Sequence, residues 1–377
     1  MLTIIHDVIA WAPIGIPAFI FVIAFVVFFH ELGHFLMARA CGVSIETFSI
    51  GFGGEIVGWT DKKNTRWKIC WLPLGGYVKF AGDENAASVP SPERLAQMTE
   101  EEKKGAFPLK PLWQRCLVVA AGPVANFILA FVVFAVLFAV WGGQGRSTYI
   151  GGVQIDSPAA RAGLKPGDKI TAVNGQPVKL FSPELQNIVQ ASGGRDMALT
   201  VQRGGQNLQL HVTPRQIETK NIFGEPIKTV AMGVLPAEPF PENTVYIPVP
   251  LAKVPLLAAY QCWGIVDGSL TYLWRIVSHK ADASQLGGPI GMARMAKSAA
   301  TYGFYDLIYL VAFISVSIGL INLFPIPLLD GGHLLYYACE GVLGRPLSER
   351  VQDVGFRLGL ALVLGLMIFA TWNDLVR

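Results

Sequence analysis

The sequence predicts a polytopic α-helical membrane protein with about four transmembrane helices, a membrane-associated β-hairpin and one extracytoplasmic β-rich domain. Composition is the first observation behind this prediction. Of the 377 residues, 52% are hydrophobic and only 15% are charged, whereas soluble domains carry about 25% charged residues. The second observation is that four stretches are long and apolar enough to cross a bilayer, which takes about 20 residues. The third is a run of short strands and turns between the second and third stretches.

The distribution of Lys and Arg predicts how the chain is threaded. Residues 1–38 contain none, whereas 39–115 contain eleven, and these residues collect on the cytoplasmic side of a membrane. The N-terminus and the β-rich domain are therefore expected outside. The predicted segments are a first transmembrane helix at 1–41, a cytoplasmic loop at 42–112 with a hairpin at about 45–82, a second transmembrane helix at 113–141, the β-rich domain at 145–215, an extracytoplasmic linker at 216–305, a third transmembrane helix at 306–335, a cytoplasmic loop at 336–353 and a fourth transmembrane helix at 354–377.

Two further stretches interact with the membrane in this prediction without being counted among the four spans. Residues 45–82 alternate like strands and are rich in aromatic residues and Gly, which favours a hairpin dipping into the membrane over an ordinary cytoplasmic hairpin. Residues 256–277 are apolar but carry Asp267 and Arg275. Because charges inside a span are costly, an amphipathic helix on the outer interface is favoured over a fifth span.

The residues with catalytic potential lie near the end of the first apolar stretch. His30-Glu31-Leu32-Gly33-His34 follows Pro17–Phe29, which contains no charged residue. On one helix, His30 and His34 share a face and can hold one Zn²⁺, with Glu31 beside them to take a proton from water. Two helix-interface histidines are the plainer alternative. The stretch is expected to be retained rather than cleaved as a signal peptide, since no Lys or Arg precedes it.

A catalytic zinc usually has three protein ligands, so one more is expected. Asp330 and His333 follow the third apolar stretch at the same predicted depth, and helical spacing alone leaves both candidates open. Pro325 and Pro327 interrupt the helix before them and make room for a ligand. Other chemistries have weaker support. The five cysteines form no C-x-x-C pair, and a net charge of +3 does not indicate nucleic-acid binding.

The run at 149–214 contains Ser157-Pro158-Ala159-Ala160, Lys165-Pro166-Gly167-Asp168 and Asn174-Gly175. Its short alternating strands, a small helix and the Asn174-Gly175 turn predict a compact β-rich domain. It resembles a PDZ domain of the bacterial protease-associated type. The resemblance implies that a peptide adds as a strand beside Ile150, Gly151, Gly152 and Val153.

Four motifs lie in or beside the apolar stretches, namely His30–His34, Gly122–Asn126, Gly287–Gly291 and Asn322–Gly331. Together they resemble the site-2 protease family of intramembrane zinc metalloproteases, in its bacterial RseP-like branch, over nearly the whole chain. The resemblance implies one Zn²⁺ per chain held by His30, His34 and Asp330, with Glu31 as catalytic base. It also implies substrate contacts from Asn322, Gly75, Gly76 and Tyr77. The best-known members of this branch carry two PDZ domains, whereas residues 216–246 are too short for a second one.

The resemblance implies regulated intramembrane proteolysis of single-pass membrane proteins in the bacterial inner membrane. Substrates would be a tethered regulator such as an anti-sigma factor, or remnant signal peptides. The periplasmic PDZ domain would bind a peptide C-terminus or restrict bulky substrate ectodomains, and the active site would lie toward the cytoplasmic side. One alternative is a membrane-anchored PDZ scaffold whose structural metal site is closed by His333. A zincin acting on prenylated peptides would need a Glu ligand, and no suitable intramembrane Glu is found.

Overall fold

The computed structural model of the protein describes residues 2–82, 96–220, 226–238, 243–283 and 286–376. The chain forms two compact units, the first made of Met1–Phe134, Ala258–Ser269 and Ser284–Arg377 and the second of Ala135–Leu257 and Leu270–Ala283. The α-helices are α1 (Leu2–Ala40), α2 (Glu100–Gly105), α3 (Leu112–Val140), α4 (Pro158–Arg161), α5 (Gln186–Ala191), α6 (Val254–Val277), α7 (Pro289–Tyr302), α8 (Phe304–Asn322), α9 (Asp330–Leu343) and α10 (Glu349–Val376). The strands are β1 (Ile45–Thr60), β2 (Arg66–Phe80), β3 (Gly143–Arg146), β4 (Ile150–Val153), β5 (Lys169–Val173), β6 (Gln176–Pro177), β7 (Met197–Arg203), β8 (Gln206–Val212), β9 (Arg215–Lys220), β10 (Pro226–Ala231), β11 (Val234–Pro236) and β12 (Thr244–Ile247).

Four of the described helices are long and apolar enough to cross a membrane. Helix α6, over the stretch expected to lie on the interface, is not one of them. The four are Ala12–Ala40, Leu112–Val140, Phe304–Asn322 and Arg350–Val376.

Helices α1, α7 and α8 form one apolar core of the first unit. Val22 and Val26 of α1 are buried against Ala296 of α7 and Val311 of α8. The buried residues of α7 are all alanines spaced three apart, at 293, 296 and 299, so the helix can lie close to its neighbours. This core holds the middle of α1 in place.

The Gly287–Gly291 motif begins α7 and receives a buried cap from the end of α10. The Asp374 carboxylate, only 4% exposed, accepts hydrogen bonds from the backbone N–H of Gly288 at 3.0 Å and of Gly291 at 2.8 Å. A carboxylate satisfies unpaired N–H groups at a helix N-terminus and is stabilised by the helix dipole. The motif therefore has a structural role, fixing α10 to α7.

Strands β1 and β2 form a curled sheet rather than a flat hairpin. Residues 45–50 pair with 76–80 on one side and 47–50 pair with 66–69 on the other, while 57–60 also pair with 66–69. Gly51 turns the chain with φ +87°, and a Cβ there would lie 2.7 Å from the Leu72 carbonyl oxygen. The Phe48 ring stacks on Trp67 at 4.4 Å and meets Phe35 of α1 at 5.5 Å. These aromatic contacts fix one end of the sheet to the helix.

The turn between β1 and β2 is fixed to the end of α1 by charge. The Arg39 guanidinium donates to Asp61 Oδ2 and Thr65 Oγ1, both at 2.7 Å. Burial would raise the pKa of Asp61, but hydrogen bonds from the backbone N–H groups of Thr65 and Lys63 hold it below its ordinary value. Asp61 therefore stays charged at neutral pH and keeps Arg39 as a partner.

The segment predicted as a third transmembrane helix at 306–335 contains two helices. Helix α8 ends at Asn322 and α9 begins at Asp330. Pro325 and Pro327 lie in the break, where proline removes a backbone donor and disfavours helical conformation in the preceding residue. The break places Asp330 at the start of a helix rather than within one. The loop predicted at 336–353 is correspondingly short, since α9 continues to Leu343 and α10 starts at Glu349.

The second unit extends beyond the boundaries predicted for the β-rich domain, 145–215. Its four-stranded sheet has the order β6-β5-β7-β8, and its core also includes Met232, which is 3% exposed. Strand β11 pairs with β4, matching Val234 with Val153 and Leu235 with Gly152. Part of the predicted linker at 216–305 is therefore required to complete this unit, because β4 needs a partner for its backbone groups.

Candidate active site and metal centre

His30 and His34 are brought together by one turn of α1. Both are nearly buried, at 8% and 9% exposure, and their Nε2 atoms lie 3.2 Å apart. Gly33 between them allows close packing on α3, since a Cβ there would lie 2.3 Å from the Ala121 carbonyl oxygen. The two ring nitrogens therefore point at one shared position next to α3.

Asp330 brings a carboxylate to the same position from the start of α9. Its Oδ2 lies 3.1 Å from His30 Nε2 and 3.5 Å from His34 Nε2. One ligand atom from each of these residues falls within 4.8 Å of the other two. Asp330 Oδ2 is buried and has no hydrogen-bond donor among the described residues. A buried carboxylate oxygen facing two imidazole nitrogens without a donor is what a bound cation would satisfy.

The tautomer of His34 also fits a metal. Its Nδ1 lies 2.9 Å from the Val118 carbonyl oxygen of α3. A carbonyl can only accept, so Nδ1 carries the proton and Nε2 of the neutral ring presents a lone pair to the shared position. Such a partner on the other ring nitrogen is usual for a metal-binding histidine. The donor set of two imidazoles and one carboxylate therefore fits Zn²⁺.

Gly122 of α3 keeps this position open. A Cβ on residue 122 would lie 2.2 Å from His34 Nε2 and 2.9 Å from His30 Cε1. No side chain larger than hydrogen fits there without displacing the ligands. The glycine in the Gly122–Asn126 motif is thus explained by the space that the ligands need.

His333, the competing candidate for third ligand, is not a member of the three-residue group. It lines the same cavity one turn beyond Asp330. In the part of the chain that the structure describes, the group therefore has three members, which leaves a coordination position for water as in catalytic zinc sites. A site closed by His333, as the scaffold alternative requires, is not what the geometry favours.

Glu31 lines a cavity of about 220 Å³ together with His30, His34 and Asp330. Two of the regions predicted to contact the substrate line it as well. The cavity is bounded by Asn322 from the end of α8 and by Gly76 and Tyr77 from β2. Gly75 is not part of its wall. Its φ is +136°, and a Cβ there would meet the Phe52 ring at 2.4 Å, so this glycine serves the bend in the sheet.

The predicted peptide-binding run, Ile150 to Val153, lies in the second unit as strand β4. Its backbone is paired with β11 of the same chain, and the Ile150 N–H donates to the Asp168 carbonyl oxygen at 2.8 Å. A peptide strand therefore cannot add between β4 and β11. Peptide addition beside Ile150–Val153 stays a prediction for the edge of β4 that does not face β11.

Several cavity residues were not predicted from the sequence. Leu328 has φ +116°, a strained conformation for leucine that is characteristic of functional sites. Outside the cavity wall, Arg115 donates to Glu340 of α9 at 3.1 Å, and both side chains are largely buried, so this ion pair fixes the helix that begins with Asp330. In the sequence, only Pro325 and Pro327 indicated that the backbone near Leu328 is irregular. The cavity walls that sequence reasoning missed are Val78, Phe80, Phe107, Val119, Leu328 and Tyr337.

We predict that Gly122→Ala reduces zinc binding by about tenfold or more, comparable to the loss of a supporting contact at a metal site. The added methyl group would occupy the position that the His34 lone pair must reach. Metal analysis of the purified protein after dialysis against limiting zinc measures the effect. The control is Gly365→Ala on α10, where a Cβ meets nothing within 4 Å. Wild-type zinc content in the Gly122 variant would contradict the proposed position of the metal.

Comparisons with known proteins identify the family of this chain. The family model described as Peptidase family M50 matches residues 18–366. A protein of Agrobacterium fabrum named "Putative zinc metalloprotease" is 42% identical over 360 residues, covering 96% of this chain and 95% of that protein. Metalloprotease MmpA of Caulobacter vibrioides is 41% identical over 388 residues, covering 97% and 96%.

Two solved PDZ domains of SdrC-like proteins also match 24% of this chain. The domain from Listeria innocua is 25% identical, 94% covered and has a TM-score of 0.20. The domain from Listeria monocytogenes is 26% identical, 85% covered and has a TM-score of 0.19. On the matches of the family model and the two metalloproteases over nearly its full length, the chain belongs to peptidase family M50, the site-2 protease family, and is a zinc metalloprotease.

Proposed function

We propose that this metalloprotease hydrolyses peptide bonds of single-pass membrane proteins within or next to their membrane-spanning segments. The observation that carries the proposal is the meeting of His30, His34 and Asp330 within 4.8 Å, in a cavity that Glu31 also lines. His30, His34 and Asp330 would hold one Zn²⁺. When bound there, zinc would lower the pKa of water and polarise the peptide carbonyl.

Glu31 acts as the general base and then the general acid. It follows His30 directly on α1 and lines the open cavity, so its carboxylate can reach a water molecule beside the ligands. Glu31 takes a proton from that water as its oxygen attacks the peptide carbonyl carbon, and returns the proton to the leaving amine as the C–N bond breaks. Asn322, on the cavity wall, would hold the substrate backbone or the developing oxyanion through its amide.

The edge of the curled sheet offers a place for an extended substrate. Residues 76–80 pair with 45–50 on one side, and no strand pairs with their other side within the described residues. Gly76 brings this edge close to the base, since a Cβ there would lie 3.0 Å from Glu31 Cγ. An added strand gains main-chain hydrogen bonds. Addition along Gly76 and Tyr77 would therefore place a substrate carbonyl within reach of Glu31.

Membrane-spanning substrates fit the surroundings of this site. His30 and His34 lie on a helix that is long and apolar enough to cross a membrane. The far part of the sheet exposes large apolar side chains on both strands, including Ile56, Val57, Trp59 and Trp71. Such a surface suits lipid or an apolar segment better than water. A helical substrate has its carbonyls hydrogen-bonded, so it would have to unwind before pairing with the sheet edge.

The cellular setting follows from the charge distribution and the family. The excess of Lys and Arg in 39–115 supports a multi-pass protein of the bacterial inner membrane with the active site toward the cytoplasmic side. The second unit, a PDZ domain in this proposal, would lie outside and bind a peptide C-terminus or hold back substrates with large ectodomains. Tethered regulators such as anti-sigma factors, and remnant signal peptides, are the proposed substrates.

Replacing Glu31 with Gln is predicted to lower the rate of cleavage of a model membrane substrate by at least about a hundredfold, because proton transfer is lost. Zinc content should remain that of the wild type, because Glu31 is not one of the three ligands. The rate is measured with purified protein in detergent or in liposomes. Glu101→Gln, the same change on an exposed residue of α2, is the control. Undiminished turnover by the Glu31 variant would reject this residue as the base.

Weakening the helix of a substrate is predicted to speed its cleavage. Inserting a Gly-Pro pair near the scissile bond of a model span lowers the free energy of unwinding, since Pro costs about 3 kcal/mol in a helix. The rate of the wild-type protease on this substrate is compared with its rate on the same span carrying Ala-Leu. Equal rates on the two spans would show that unwinding of the substrate helix does not limit the rate of cleavage.

A further inference from the structure

We propose that Asn126 is a positioning residue for the metal ligand His30, acting through its side-chain amide oxygen. The oxygen accepts the Nδ1–H of His30 and so leaves the Nε2 lone pair directed at the metal. This inference rests on the proposed metal-binding role of His30. It gives the last residue of the Gly122–Asn126 motif a chemical task, which packing alone would not require.

The contact between the two residues is direct and buried. Asn126 is 0% exposed, and its amide nitrogen lies 3.1 Å from His30 Nδ1. Its Oδ1 is buried without a hydrogen-bond donor among the described residues. An unsatisfied buried amide oxygen costs free energy, and this oxygen belongs to the same amide group whose nitrogen faces His30 Nδ1.

The chemistry of His30 decides between the two amide orientations. If the amide nitrogen donates to Nδ1, the ring proton must sit on Nε2 and point at Asp330 Oδ2, where it blocks metal coordination. Rotating the amide by 180° exchanges two atoms of nearly equal size. Oδ1 then accepts from Nδ1–H, and the lone pair of Nε2 faces His34 and Asp330. With metal bound, only the second orientation is consistent with His30 as a ligand.

Helix α3 thus orients both histidines by two different means. The Val118 carbonyl oxygen accepts from His34 Nδ1, and Asn126, two turns later on the same helix, would accept from His30 Nδ1. A backbone carbonyl cannot be removed by mutation, but the Asn126 amide can. The orientation of His30 is therefore the part of the site that a single substitution on α3 can test.

Asn126 is itself held by helix α8, which leads to the third ligand. The Ser315 hydroxyl donates to the Asn126 backbone oxygen at 2.8 Å. Gly319 permits the close approach, because a Cβ there would lie 3.2 Å from Asn126 Cβ. The residue that orients the first ligand is thus packed against the helix that precedes Asp330, and its side chain has little freedom to turn away from His30.

The test compares two replacements of similar size. Asn126→Leu removes the acceptor, and Asn126→Asp keeps an oxygen that can accept from Nδ1–H. Zinc affinity of the purified full-length protein is measured by competition with a chelator. We expect Asn126→Leu to weaken zinc binding by about 10- to 100-fold. Asn126→Asp should retain the wild-type affinity or exceed it, because a carboxylate is a stronger acceptor.

A matched control separates this effect from damage to the fold. Asn207→Leu makes the same change on an exposed residue of β8 and should leave zinc affinity unchanged. Absorption of the Co²⁺-substituted protein provides a second readout, and the Leu variant should show an altered ligand-field spectrum when saturated. The inference is overturned if the Leu variant binds zinc like the wild type, or if the Asp and Leu variants are equally weakened. Either result would leave the proposed protease function standing, since it depends on His30 and not on Asn126.

Discussion

The structure of the first unit depends on keeping two imidazole nitrogens and one carboxylate oxygen within 4.8 Å of one another in a largely apolar interior. Without a cation, these buried atoms face one another and the Asp330 oxygen makes no hydrogen bond to the described residues, an arrangement that costs free energy. A divalent cation converts the same arrangement into mutual attraction. The packing around the site serves to hold the two ring nitrogens and the carboxylate oxygen in place until a metal can bind.

Small residues and interrupted helices provide the necessary geometry. Gly33 and Gly319 let α1 and α8 approach α3, and Gly122 leaves space where the ligands meet. The break between α8 and α9 frees Asp330 to approach from a helix start. Gly331 and Gly332 pack on the carbonyls of the same break, where a Cβ would lie within 2.4 Å of a backbone oxygen. The glycines of these motifs are therefore needed for close approach, while the polar residues are the proposed metal ligands.

The meeting of the two histidines could be predicted from the sequence because their spacing is fixed. His30 and His34 share a helix face by periodicity alone. Asp330 needed the family resemblance, since spacing left His333 open, and the structure favours Asp330. The Val118 contact could not be predicted, because every residue has a backbone carbonyl and tertiary packing selects which one is used. The pairing of β4 with β11 was also missed, because a three-residue strand far along the chain carries little periodic signal.

The metal coordination itself is the most direct test of this account. Zinc K-edge X-ray absorption of the full-length protein should show two imidazoles and two further oxygen ligands at about 2.0–2.2 Å, with no sulfur. The spectrum should change in Asp330→Ala and stay the same in His333→Ala. A spectrum that changes with His333 and not with Asp330, or a sulfur ligand at about 2.3 Å, would contradict the proposed convergence of His30, His34 and Asp330 on one ion.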